Sequence, residues 1–398
     1  MTPITQRRIV LLLVALLAVG NVVNALNKGG DFDVFLEAGR RVVVAAPMYA
    51  GSGAGSGVIG PPFQGVFFAP FALLAGIEPK AAKLAWHIVN CLALLFALLW
   101  WSVALGRQRP EGAASGRGSA LALTLVPLVA ILLPLQTNFE HQNLNSVLLA
   151  LVGAAALWLR RDRQVASGVL VGVATALKAF PGLLILYLLA GRFWRAAAAA
   201  VATAAVATAS TALFYGTGQS VSLVRAWLAI NQQGGWPIRG NNQSLFAMFG
   251  RYLGHDGPGA SGHLFAASDP LPYWLAAGAS AALLVALLAI VVRARPAAAD
   301  APAQMSATLA LAVLMSPIAW EHYWVLMFPA FYVLYDRATS RRQRVGFWVC
   351  AVLVSGFSRA TAGAGGVALA RMFSLWTIAG VILFATVLMT CSRSHGVK

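Results

Sequence analysis

Apolar runs long enough to cross a membrane recur from one end of this chain to the other. They fall at 9–26, 82–105, 120–137, 143–159, 196–216, 271–293, 302–318, 322–335, 345–358 and 372–391, and another, 165–190, is interrupted at Lys178-Ala-Phe-Pro181. A helical crossing takes about 20 mainly apolar residues, and a chain in lipid must satisfy its own backbone. Of the 398 residues 59% are hydrophobic and only 10% charged, where a soluble domain carries about 25% charged residues. A large soluble domain, a disordered tail and a coiled coil are thereby excluded. The expectation is an all-α polytopic membrane protein with about 10–12 transmembrane helices, forming one integral domain over 1–398.

Thr2–Arg8 is short and basic ahead of the run 9–26. A signal peptide would look similar, but the run is long and no small-residue cleavage pattern follows, so it reads as an uncleaved first span. A lysine followed by proline at 178–181 breaks helical hydrogen bonding, so 165–190 reads as two half-helices.

The formal net charge is +17. In a soluble protein this would suggest nucleic acid; here the positive-inside rule accounts for it. With Arg7 and Arg8 inside, alternating spans put Arg107, Arg109, Arg117, Arg160, Arg161, Arg163, Arg192, Arg195, Arg293, Arg295, Arg337, Arg341, Arg342, Arg344, Arg393 and Lys398 on the same side. That side then holds 18 basic and 4 acidic residues, the other 10 basic and 8 acidic, and Lys178 lies within the membrane region. Both termini come out cytoplasmic in a multi-pass cell-membrane protein, with no nucleic-acid partner. The parity requires that 61–77, marked by Pro61, Pro62 and Pro70, form an interfacial helix.

Two outward segments are long, 27–81 and 217–270, and long connections on one face tend to carry function. The first opens Asp31-Phe-Asp33-Val-Phe-Leu-Glu37, three acids among only twelve in the chain. From Val34 to Val44 the spacing suits a short amphipathic interfacial helix. Carboxylates at a membrane edge point to function; capping the helix, or pairing with Arg40 or Arg41, is the competing reading. Tyr49–Gly60 is Gly/Ser-rich, but without a preceding strand or a Gly-Lys-Ser/Thr it reads as a flexible loop. The turn Asn138–Asn145, with Gln142, Asn143 and Asn145, could satisfy helix ends or line a polar cavity. Segment 231–251 mixes amides, Gln243 among them, with Trp236, Arg239 and Arg251, which fits either phosphate-headgroup recognition or an interfacial anchor. Glu321 and His322 lie in a turn on the same outer side as Asp31, as a proton-handling pair or a hydrogen-bonded turn. Lys178 should meet a partner, an anionic ligand or a helix C-terminus. Three cysteines and six scattered histidines form no disulfide framework and no metal-ligand set.

Taken in order, these clusters resemble the family-87 glycosyltransferases of the GT-C superfamily over about residues 8–392. The resemblance rests on Asp31-Phe-Asp-Val-Phe, Pro61-Pro62 with Pro70, Gln142/Asn143/Asn145, Gly168…Gly172…Lys178-Ala-Phe-Pro181, Asn242-Gln243-Ser244-Leu245 and Ser316-Pro317-Ile-Ala-Trp320-Glu321-His322. Relatives often read Gly-Gln-x-Asn where this chain has His-Gln-Asn-Leu-Asn, and Glu321 stands where the family often has Asp. The resemblance implies a GT-C-type fold with an interfacial helix in the first outer loop, and an active-site face built by 27–81 and 217–270. It also implies Asp31 as general base, with Asp33 the runner-up, and His322 near the reacting centre. Candidate substrate contacts are Asp33, Glu321, Gln142, Asn143, Lys178, Arg239, Gln243 and Arg251; Lys28 is a further cation for the phosphate. The implied partners are a polyprenyl-phosphate sugar donor (mannose or arabinofuranose), an extracytoplasmic lipid or glycan acceptor, and membrane lipids, with no cofactor.

A lipid phosphate is a good leaving group, and direct displacement of it by an acceptor hydroxyl inverts the anomeric carbon. That reaction needs a carboxylate in reach of the hydroxyl and fixed positive charge for the phosphate. The rivals are a lipid-linked-sugar flippase, which should show a second, inverted set of broken helices beside the one at Lys178, and a scaffold, which needs no convergence of Asp31, Glu321 and His322.

Overall fold

The computed structural model describes residues 3–28, 30–52, 57–106, 120–232, 236–254, 264–265, 270–294 and 297–393. Arg107, Arg109, Arg117, Arg295 and Lys398 of the inner charge set lie outside them, as does 53–56 of the Gly/Ser-rich loop.

Helices carry nearly all of the described chain. The segment after α1 (Pro3–Asn27) comprises α2 (Asp31–Val43) and α3 (Pro62–Ile77). Then come α4 (Pro79–Leu105), α5 (Ala120–Ala130), α6 (Leu132–Glu140), α7 (Asn145–Arg160) and α8 (Gln164–Leu177). A single 3-10 turn, Phe180–Gly182, leads to α9 (Leu183–Ala190), followed by α10 (Trp194–Ala209), α11 (Ala212–Gln232) and α12 (Leu245–Leu253). After α13 (Pro270–Ala294) and α14 (Ala301–Met315), a longer 3-10 stretch, Glu321–Met327, opens α15 (Phe328–Arg337). The chain closes with α16 (Arg341–Ser355), α17 (Arg359–Met372) and α18 (Leu375–Arg393). The two-residue strands β1 (Trp236–Pro237) and β2 (Leu264–Phe265) pair antiparallel.

The protein is thus an all-α polytopic membrane protein. Three described segments, Arg8–Asn27, Pro79–Leu105 and Pro270–Ala294, are long and apolar enough to cross a bilayer, or up to six if each sharply bent pair counts as one span. Ten to twelve crossings would require the shorter apolar helices to be counted as well.

The sequence pattern marks one broken helix, whereas the structure bends sharply at three more places. Helices α5 and α6 meet at 66°, α10 and α11 at 102°, α16 and α17 at 88°. At the sharpest bend Ser210 Oγ donates to the Ala207 carbonyl (2.6 Å) and Thr211 Oγ1 to that of Thr208 (2.8 Å). Such local side-chain bonds compete with the helical ladder. At the third bend Ser358 and Thr361 form a capping box that starts α17 afresh. Among the described residues of 217–270, α11 and α12 occupy the greater part.

Helix α14 is buried on all sides except at Met315, as expected of a helix that is apolar all round, and α7, α9, α15 and α18 pack around it. The alanine-rich α10 packs closely on α8. A Cβ on Gly168 would lie 2.1 Å from the Ala196 carbonyl oxygen, and one on Gly172 2.5 Å from that of Ala200. That contact fixes α8, and with it the position of Lys178 at its end.

Candidate active site

Asp31 is placed by its glycine neighbour and by the apolar face of α2. Gly30 has φ 109°, outside the range most side chains adopt, and its absent Cβ leaves room for the backbone of His141. The Asp31 amide donates to the His141 carbonyl at 3.1 Å. Phe32, Phe35, Leu36 and Val42 are buried; Phe32 stacks on Trp86 with ring centroids 5.8 Å apart. Gly39 lets α2 approach α3 so closely that a Cβ would meet the Phe68 carbonyl oxygen at 2.6 Å. The capping reading for Asp31 and Asp33 is overturned, because the N-cap is Gly30 and no side chain caps the helix. Pairing with Arg40 or Arg41 is overturned as well. Arg41 engages Glu37 at 2.7 Å, and Asp33 faces Lys83 at 3.7 Å.

The amide turn between α6 and α7 comes to the same point. Gln142 has φ 52°, and its carbonyl accepts from the Trp86 indole at 2.7 Å. This turns Asn143 toward Asp31: Asn143 Nδ2 donates to Asp31 Oδ2 at 2.5 Å, and His322 Nε2 lies 3.1 Å from the same oxygen. Lys178 caps the C-terminus of α8, and its Nζ donates to Asn143 Oδ1 (3.1 Å) and Asn145 Oδ1 (3.0 Å). The ammonium also sits 3.6 Å from the centre of the Tyr323 ring, a cation–π contact. Asn145 Nδ2 donates to the His322 carbonyl at 3.0 Å.

Burial alone would push the Asp31 carboxyl up. The charge and hydrogen bond of His322, the Asn143 bond and the charge of Lys178 outweigh it and hold the group well below the usual carboxylate range. Asp31 therefore stands ionised as a hydrogen-bond acceptor.

Asp31, Asn143 and Lys178 open onto a cavity of about 570 Å³ whose other walls include Phe35, Trp227, Trp320 and Tyr323. His322 is buried behind Asp31. A second cavity of about 620 Å³, lined mostly by small and apolar side chains of α8, α10 and α11, shares Pro61, Ala179 and Trp227 with the first.

The other sequence candidates lie elsewhere. Arg251 is buried, and its guanidinium donates to the carbonyls of Ile238 (3.1 Å), Arg239 (3.1 Å) and Asn242 (2.7 Å) and to Ser374 Oγ (2.6 Å). Gln243 Nε2 donates to Gly240 O (2.6 Å) and Arg371 O (3.2 Å). Glu321, next to His322, turns its carboxylate to Arg371 in a two-point ion pair, Nη2–Oε2 at 2.6 Å and Nε–Oε1 closer still. Arg239 is exposed, Lys28 faces Glu140 at 3.7 Å, and the Gln142 side-chain amide is buried with no hydrogen-bond partner among the described residues. Sequence reasoning missed Arg371, Tyr323 and Trp227. Tyr323 adjoins His322 and could have been found there; nothing in the sequence links Arg371 or Trp227 to the site.

The glycosyltransferase family 87 model matches residues 59–317. The chain belongs to that family. Asp31 lies well before the matched stretch and Glu321 and His322 just after it, while the amide turn, Lys178 and the 242–251 region lie within it. A polyprenol-phosphate-mannose-dependent alpha-(1-2)-phosphatidylinositol pentamannoside mannosyltransferase of Mycobacterium tuberculosis is 31% identical over 284 residues, 71% of this chain and 59% of that relative. A polyprenol-phosphate-mannose-dependent alpha-(1-2)-phosphatidylinositol mannoside mannosyltransferase of Mycolicibacterium smegmatis is 28% identical over 346 residues, 82% of this chain and 74% of the relative. The alignment thus spans about three fifths of the first relative's length. No solved structure matches the chain.

Proposed function

We propose that this family-87 protein is a membrane glycosyltransferase that moves a sugar from a polyprenyl phosphate to an extracytoplasmic lipid or glycan acceptor. Mannose is favoured over arabinofuranose by the donor in the relatives' names; the phosphatidylinositol mannosides in those names are the first acceptors to try. The carrying observation is the cluster itself: the Asp31 carboxyl and the Lys178 amine on one cavity wall, with His322 in contact with the carboxyl.

In this reading the acceptor hydroxyl attacks the anomeric carbon and its proton passes to Asp31. The bond from that carbon to the phosphate oxygen breaks on the opposite face, inverting the centre, and polyprenyl phosphate leaves with the electron pair. Asp31 is the general base, and His322 orients its carboxylate. Lys178, half freed from its amides, meets the departing phosphate. The apolar cavity between α8, α10 and α11 accepts the first isoprenoid units of the donor. With the basic side of the membrane inside, both termini are cytoplasmic and the cavity faces outward.

The test is transfer of radiolabelled mannose from polyprenyl-phosphate mannose to a phosphatidylinositol mannoside by the purified protein. Asp31→Asn should lose about 10²–10⁴-fold in kcat, the usual contribution of a general base, and elute unchanged on size exclusion. Full transfer by that variant would overturn the reading.

A further inference from the structure

Asp31 and Lys178 carry opposite charge on one cavity wall, and yet they do not pair with each other. Asn143 stands between them, donating Nδ2–H to Asp31 and accepting the Lys178 ammonium on Oδ1. Asn145 is a second strut, from Lys178 on its Oδ1 to the His322 carbonyl through its Nδ2. The chemistry fixes both amides: an ammonium has only donors, so each oxygen must face it, leaving each nitrogen for the carboxylate or carbonyl. Asn138 Nδ2 braces the start of α7 through Ser146 Oγ at 3.0 Å. A lysine and an aspartate bridged by a single amide, in surroundings this buried, would collapse into an ion pair if the amides were absent. The pair would occupy the lone pair that a base needs and the proton that a phosphate needs.

We infer that Asn143, with Asn145 in support, is a positioning residue that holds the Lys178 ammonium and the Asp31 carboxylate apart, so that each keeps a free valence toward the cavity. This rests on the glycosyltransferase reading and deepens it: the substrate whose two reacting ends are served separately is an anionic donor together with a neutral hydroxyl acceptor. Asn143 itself forms no bond to the reacting atoms; it sets where the base and the cation stand.

Asp31 is faced by His322 from the Glu321–Met327 stretch, by Lys178 from the end of α8 and by Asn143. Beyond them, the His141 ring lies 5.3 Å from that of His322, and Tyr323 sits under Lys178. Lys28 and Lys83, on neighbouring elements, face Glu140 and Asp33. Replacing Asn143 by Asp keeps its shape but sets two carboxyls sharing a proton against each other, which raises the pH at which Asp31 is free to accept.

The experiment compares full-length wild type, Asn143→Asp, Asn143→Ala, Asp31→Asn and Lys178→Met in the mannose-transfer assay from pH 4 to 8. Asn143→Asp should move the acid limb of kcat/KM up by about one pH unit or more. Asn143→Ala should lower kcat about tenfold to a hundredfold and raise the donor KM, as the freed ammonium swings onto Asp31. If Asn143→Ala does not elute as a folded species, the isosteric Asp variant carries the test through its pH profile. An unmoved acid limb in Asn143→Asp, or kcat and donor KM within twofold of wild type in a folded Asn143→Ala, overturns the inference. The two failures are distinguishable. Absence of transfer by the wild type would overturn the function itself, retained transfer in Asp31→Asn and Lys178→Met would overturn the roles of those two residues, and loss there with normal Asn143 variants removes only the spacer.

Discussion

Two polar clusters are built from nearly the same residue types, and they differ in what their charged groups have left to bind. Around Arg251 all three guanidinium nitrogens donate to Ser374 or to the carbonyls of 238, 239 and 242, and the side chain is 2% exposed. Nearby, Asn242 Oδ1 accepts from the amides of Ser244 and Ala319, while its Nδ2 donates to the carbonyls of Pro237 and Pro317. This cluster clasps the 237–251 segment to the Ser316–Glu321 turn and to the start of α18. The Asp31 cluster has an acid, a cation and amides too, but Asp31 and Lys178 still open onto a cavity. A saturated arginine is structural; a partly satisfied acid and base facing a void can react.

The contrast breaks most forcefully at Arg251. Arg251→Ala leaves the carbonyls of Ile238 and Asn242 without their guanidinium donor, each costing about 1–3 kcal/mol, so the protein should lose about 2–6 kcal/mol of stability. A thermal melt in detergent reads this as a large drop in Tm. The kcat of the fraction that remains folded should stay within about twofold of wild type. A tenfold rise in donor KM with an unchanged melt would instead place Arg251 at the phosphate.

A smaller effect is expected where the clasp comes nearest to the site. Arg371 is 42% exposed and Glu321 11% at the side chain, so solvent weakens their ion pair despite its two-point geometry. A double-mutant cycle of Glu321→Gln and Arg371→Met should give a coupling of about 1 kcal/mol, read as stability, with little change in kcat. If Glu321→Gln alone cuts kcat a hundredfold while leaving the melt in place, its carboxylate belongs to the chemistry and the division between the clusters fails.

Much of this was legible in the sequence, because the relevant signals are local. The apolar runs, the amphipathic spacing from Val34 to Val44 and the Lys178-Ala-Phe-Pro181 break each depend on neighbours in the chain, and they appear as helices, as the helix Asp31–Val43 and as a helix end. The grouping of Asp31, Asn143, Lys178 and His322 could be suspected from polar residues stranded at a membrane edge. Their separation from Arg251, Gln243 and Glu321 could not. That division depends on Ser374, Arg371 and the carbonyls of 238–242, partners that meet only when α12 and the α17–α18 corner fold together. The extra bends were hidden for a related reason: Ser210 and Thr211 act at the α10–α11 bend only because they turn onto their own helix's carbonyls, and at the α5–α6 bend it is Ser355 of α16 that bonds the Ala130 carbonyl and the Leu133 amide.

The smallest expected effect is an absence of change, and it tests why Asp31 is ready to act. Burial alone would favour the neutral acid, and the reactive cluster would then differ from the clasp only by having space beside it. The His322 and Asn143 bonds and the Lys178 charge reverse that preference and hold Asp31 below its ordinary value of 3.8. A carboxyl depressed on folding contributes stability that is complete above the unfolded value and fades as pH falls through the folded one. The stability difference between wild type and Asp31→Asn should therefore be flat from about pH 5 to 8 and narrow only below about pH 4, measured as Tm against pH in one detergent. If burial dominates, the sign inverts: wild type would gain on the Asn variant as pH drops from 7 toward 4. That outcome would mean the carboxyl is held neutral in the resting protein, and the amides and His322 would then be packing against an acid rather than preparing a base.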